Sequence, residues 1–95
     1  MHFVEIEDII RLEASANYTT LYLLDGTQLL LSKNLGYYEK MLAGSQFFRS
    51  HQSHLVSLDY VAKYVKTEGG YLLMKDGQSI PVSRLKKEEI KYLFS

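Results

Sequence analysis

The chain of 95 residues has no cysteine and only one proline. The first absence excludes disulfides and zinc–thiolate centres, and it suits a reducing compartment. The second leaves Pro81 as the one residue that must lie at an edge or strand end. Long apolar runs are missing too: none approaches the roughly 18–20 residues of a membrane-spanning helix. The opening Met1-His2-Phe3-Val4-Glu5 is not a signal peptide, so a cytoplasmic protein is expected. Net charge is also absent, with eleven Lys and Arg balancing eleven Asp and Glu. That argues against a strongly basic nucleic-acid binder. The balance hides a split, because residues 1–48 carry −3 and residues 49–95 carry +3. A polarised field can orient a protein on a polyanion even at zero net charge. Catalytic signatures are lacking as well: GxSxG, HExxH, GxxxxGK[ST] and GxGxxG do not occur. The acidic groups Glu5-Glu7-Asp8 and Glu88-Glu89 read as solvated edges and helix surface. No enzymatic activity and no cofactor are expected.

What is present favours strands. Eight tyrosines, four phenylalanines and many Leu, Ile and Val fill a chain long enough for one domain, residues 1–95. Alternation predicts strands at residues 3–6, 9–14 and 18–24, then Asp25-Gly26 marks a hairpin that returns through residues 28–31. Leu35, Tyr38, Met41 and Leu42 recur at helical spacing, with Ser32 or Asn34 to cap the start and Gly44 to end it. Gly36 weakens that helix, which should be short. Strands follow at residues 62–67 and 71–74, and a second Asp-Gly pair at 76–77 leads back through Ile80-Pro81-Val82. Ser83 can cap a last helix from about Leu85 to Leu93, with Leu85, Ile90, Leu93 and Phe94 as its apolar side. An echo links the two halves: LYLLDGTQLLLSK, from Leu21, aligns with LLMKDGQSIPVSR, from Leu72. Two similar hairpins or an internal repeat both explain it. Either way, Lys33 and Arg84 fall at equivalent strand-to-helix junctions, where free backbone N–H groups suit phosphate.

The stretch FFRSHQSHLVSL, from Phe47, sets six polar residues between apolar clamps. His51 and His54 suggest half a metal site. On a strand their spacing sends them to opposite faces, and no third ligand is near, so no metal is expected. A polar surface turn is the plain reading. Nucleic acid suits the residue types better, since Gln can read adenine, Arg can read guanine, and Ser and His can hold phosphates. Tyr37-Tyr38 could stack on bases, although packing on a sheet is the simpler role. In IPVSRLKKEE, Arg84 opens a helix from a rigid junction with Lys86, Lys87 and Lys91 beyond it. A solvated basic helix is the alternative. A rival of another class is a small β module that binds peptide by strand addition at the Ile80-Pro81-Val82 edge.

Taken in order, ANYTTLYLLDG, FFRSHQSHLVSL and IPVSR resemble the LytTR-type DNA-binding domain of bacterial response regulators, over roughly residues 3–93. The resemblance implies an all-β fold of mainly antiparallel short strands, elongated and β-sandwich-like, with one or two short helices. It implies sequence-specific binding of double-stranded DNA through loops, as the output of a two-component regulator of transcription. By motif position Arg84 resembles the family's base-reading arginine, and Gln52 follows the motif histidine, His51, where the family has a DNA-facing residue. The segment Asn17-Tyr18-Thr19-Thr20 resembles a third contacting loop, with Asn17, Tyr18 and Thr19 as its candidate contacts. Ser53, Ser83 and Lys33 resemble backbone-positioning sites; Lys86 and Lys87, behind Arg84 on the basic helix, are read from the residues alone as phosphate contacts. Promoter repeats, a homodimer on DNA, and a receiver domain in the full-length protein are the implied partners, with no membrane. Ser57 departs from the pattern, which has Asn there.

Overall fold

Two Asp-Gly turns shape the chain in the same way. In the computed structural model, which describes residues 4–67 and 69–94, Asp25 Oδ1 accepts from the Thr27 amide at 2.8 Å and Asp76 Oδ1 from the Gln78 amide at 3.1 Å. The amides of Leu23 and Met74 reach the carbonyls of Thr27 and Gln78, and those of Gly26 and Gly77 return to Leu23 and Met74. Both glycines sit at positive φ, +90° and +93°, where a Cβ would strain the turn. Each turn joins two strands: β2 (Tyr18–Leu23) to β3 (Gln28–Leu31), and β7 (Tyr71–Met74) to β8 (Ser79–Pro81). A preceding strand completes each set, β1 (Ile9–Ser15) and β6 (Val61–Val65), and each follows a 3₁₀ turn, at Ile6–Asp8 and Leu58–Tyr60.

The match extends to irregularities. Register slips between Ile9 and Arg11 against β2, and between Val61 and Lys63 against β7. The Leu24 amide bonds Asp8 O and the Lys75 amide bonds Tyr60 O, both at 2.8 Å. The echo in the sequence is therefore one backbone arrangement used twice. Two strands lie between the units, β4 (Phe47–His51) and β5 (His54–Ser57), after helix α1 (Leu35–Met41); α2 (Lys87–Leu93) closes the chain.

The strands form two antiparallel sheets. One runs β3-β2-β1-β5-β4 and the other β6-β7-β8. The larger sheet buries both faces. Ile9, Leu12, Leu21 and Leu55 pack with Leu35 and Leu42 around α1. Ile10, Phe48 and Val56 pack on the other side against Leu72, Met74, Ile80 and Ile90. The slip in β1 explains how Ile9, Ile10, Arg11 and Leu12 are all buried in a row, since a bulge lets neighbours share a face. The molecule is elongated, 41 × 25 × 24 Å, as the all-β reading expects.

Three sequence expectations change. The strand expected at residues 3–6 is not formed where described: Ile6 opens a 3₁₀ turn, and Phe3 lies outside the described residues. The last helix begins at Lys87, after a separate 3₁₀ turn at Arg84–Lys86. That turn shifts the helical phase, so Leu85 is 92% exposed and only Ile90 of the expected apolar side is buried. Ser83 makes no side-chain cap; Asn34 does, accepting from the Tyr37 amide at 3.0 Å.

Candidate nucleic-acid interface

Antiparallel order sends alternate connections to opposite ends. The Ala16-Asn17 turn, the Gln52-Ser53 turn and the exit of β3 at Ser32-Lys33 therefore gather at one end of the larger sheet. One side-chain and two backbone hydrogen bonds lace them together. Thr19 Oγ1 donates to Lys33 O at 2.9 Å, and Thr19 lies opposite Ala14 in the β1–β2 register. The Ala14 amide donates to Ser53 O at 2.9 Å, and the Ser83 amide to Ser50 O at 2.7 Å. The last bond brings the second sheet's exit, with Arg84, to the same end. The row thus runs Lys33, Asn17, Gln52, Arg84. Five neighbouring strands span about 19 Å, and Arg84 lies one step further, so the row is roughly 20–25 Å long. At 3.4 Å per base-pair step that matches about seven steps of duplex.

The residues named from sequence divide by exposure. Arg84, Asn17, Tyr18, Gln52 and Lys33 are exposed, and Arg84 forms no ion pair with a described residue. His51, Ser53, Ser83, Lys86 and Lys87 are half-buried. Lys86 lies over the Phe48 ring and 3.8 Å from Glu89. Thr19 is the correction: it is fully buried and its hydroxyl is committed to Lys33, so it holds the junction rather than facing outward. Tyr38 packs on the core, and Tyr37 stands edge-on to it with Lys33 over its outer face.

The polar run is not a loop but two strands and a tight turn. His51 and His54 are cross-strand partners, so they share a face, with rings 5.5 Å apart at a steep angle. The strand alternation that separates them applies within one strand, not across a two-residue turn. His51 Nδ1 accepts from the Ser53 amide at 3.0 Å and so shapes the turn. His54 pairs with Glu13 across β1, its buried Nδ1 3.9 Å from Glu13 Oε1 and without a hydrogen bond. Burial holds the His54 pKa below its ordinary value; Glu13 opposes this, while His51 and Arg11 add to it. Arg11 is itself buried, stacked 3.7 Å from the Tyr22 ring and bonded to Glu13 at 2.8 Å. No group of three or more His, Cys, Asp or Glu among the described residues is arranged to hold a metal.

Two polar residues of the run are turned inward. Ser50 is fully buried and its Oγ has no partner. Arg49 folds back onto the turn and so is not free to read a base. Composition could not reveal this, because the carboxylate that draws it back, Glu39, lies on another element. Ser57, at the departure from the pattern, is buried at the end of β5 opposite Phe47, away from the row. At the rival peptide dock Ile80 and Val82 are buried, Pro81 has no N–H and Ser83 is bonded to β4, while β8 is an edge strand with Ser79 and Pro81 exposed. No helix is long and apolar enough to cross a membrane among the described residues.

Comparison with known proteins bears on the fold and the family. The LytTr DNA-binding domain family matches residues 1–95. The heme-containing CO-sensing transcriptional regulator RcoM 2 of Paraburkholderia xenovorans (strain LB400) is 34% identical over 93 residues, covering 95% of this chain and 34% of that protein. The sensory transduction protein LytT of Bacillus subtilis (strain 168) is 33% identical over 92 residues, covering 95% of this chain and 38% of its own length. The chain thus spans a little over a third of these curated relatives. A solved LytTr DNA-binding domain from Bacillus cereus superposes with a TM-score of 0.83 at 23% identity, over 95% of this chain and 84% of that one.

Proposed function

The chain belongs to the LytTR family of DNA-binding domains of transcriptional regulators, and from that premise we propose that it reads double-stranded DNA end-on, through the row Lys33–Asn17–Gln52–Arg84. The observation that carries this is the lacing of four connections from two sheets into one rigid edge. Arg84 is free, exposed and anchored by its neighbour Ser83, so it supplies base readout, as a guanidinium does to guanine. Gln52, Asn17 and Tyr18 face the groove beside it. Lys33, Lys86 and Lys87 hold phosphates, while Ser53, Ser83, His51 and Thr19 fix the loops. The domain has no catalytic role. In the full-length protein it is the output module, joined to a receiver or another sensory domain. It acts in the bacterial cytoplasm, with copies paired on promoter repeats.

Titration with duplex DNA at two salt concentrations tests the reading. Arg84→Ala should cost about 1–3 kcal/mol on a duplex enriched by the chain from a random pool, and little on scrambled DNA. Equal loss on both duplexes would leave Arg84 only a phosphate role. Lys87→Ala should weaken both alike and lower the salt slope by about 0.9.

A further inference from the structure

Each nitrogen of the Arg49 guanidinium makes one bond, two to the turn at Gln52-Ser53 and one to a partner outside it. Nε donates to His51 O at 3.1 Å and Nη2 to Gln52 O at 2.5 Å. Nη1 meets Glu39 Oε1 on α1 at 2.6 Å. The β4–β5 register is broken between Phe48 and His51, so the ladder is irregular on the approach to the turn. Arg49 supplies donors to the two carbonyls at that irregular end, and such groups need partners. Glu39 then fixes the fork. The helix that carries Glu39 is pinned to the sheet by Leu35 and Leu42, both buried. The turn is thereby referred to the core rather than left to its own two residues.

We propose that Arg49 and Glu39 are positioning residues, which set the conformation of the Gln52-Ser53 turn and so tune sequence selectivity without touching DNA. The inference rests on the reading of the row as a DNA-contacting edge. It opposes the obvious role of an arginine in a DNA-facing run, a direct contact. The two roles differ in sign at Glu39. If Arg49 bound phosphate, Glu39 would compete for it, and removing that carboxylate would tighten binding to any DNA. As a brace, Glu39 is needed for the correct placement of Gln52.

The test uses the 95-residue chain with the pool-enriched duplex and a scrambled duplex of equal composition. Glu39→Gln is the main variant, since that side chain is 45% exposed and the change is nearly isosteric. Its ratio of enriched to scrambled affinity should fall about tenfold, on the scale of one mismatched base pair. Arg49→Lys keeps the charge but not the fork, and should lower the ratio similarly. Arg49→Gln should leave the salt slope unchanged, and amide exchange at Ser53 should quicken in all three variants. Tighter binding of both duplexes by Glu39→Gln, an unchanged ratio, or a slope reduced by about 0.9 in Arg49→Gln would overturn the proposal. If the unaltered chain shows no salt-dependent binding to either duplex, the DNA reading itself fails. If it binds while the variants keep their selectivity, only the brace fails.

Discussion

At the residue scale, His54 ties the stability of the fold to pH. Its neutral form is favoured in the fold, because burial removes water from the ring and His51 and Arg11 stand near it; Glu13 only partly offsets this. Above about pH 6.5 the unfolded chain also holds a neutral histidine, so no proton distinguishes the two states. As pH falls through that value the unfolded chain takes up the proton first, and stability declines until the folded form is protonated as well. The thermal midpoint should therefore drop between pH 7.5 and 5.5, and the His54→Gln variant should show a shallower decline over the same range. An equal decline in both would assign the acid sensitivity to other groups. Thr19 serves the proposed DNA-reading edge from inside. Its side chain is out of reach of any ligand, yet its hydroxyl is the only link, among the described side-chain hydrogen bonds, from β2 to the Lys33 junction.

At the element scale, the two Asp-Gly turns invite a paired experiment. If they are one arrangement used twice, then Gly26→Ala and Gly77→Ala should each cost about 1–2 kcal/mol in urea unfolding, through backbone strain alone. Nothing lies within 4 Å of a Cβ built at either position, so packing does not enter. A large difference between the two would show that the units are not equivalent in energy. These turns were legible in the sequence because Asp-Gly is a local signal, and so was α1, whose cap and apolar spacing lie within one segment. The family pattern made the fold class legible too. What escaped was set by pairs distant in sequence or by small irregularities. The shared face of His51 and His54 depends on a turn of two residues between strands. The inward fold of Arg49 depends on Glu39, ten positions earlier. The exposure of Leu85 depends on one 3₁₀ turn, which no apolar spacing announces.

At the scale of the whole molecule, the balanced charge is separated in space. Glu5, Glu7, Asp8, Asp25, Asp59 and Asp76 belong to the turns at the end opposite the proposed DNA-reading edge, and none is ion-paired with a described residue. The seven residues of β1 put about 20 Å between the two ends. That exceeds the screening length of about 8 Å at 0.15 M salt but not the roughly 30 Å at 0.01 M. Replacing Asp25 and Asp76 by Asn should therefore leave affinity for DNA unchanged at 150 mM salt, while stopped-flow association at 10 mM becomes faster. Slower association, or a change at 150 mM, would contradict a role in orientation only. The outer strand of the larger sheet has a consequence of its own. β3 is an open edge, and Leu30 on it is 68% exposed. A second copy added there in antiparallel fashion would point its reading edge the opposite way. Such a dimer would bridge two separate duplexes and could not straddle neighbouring sites on one.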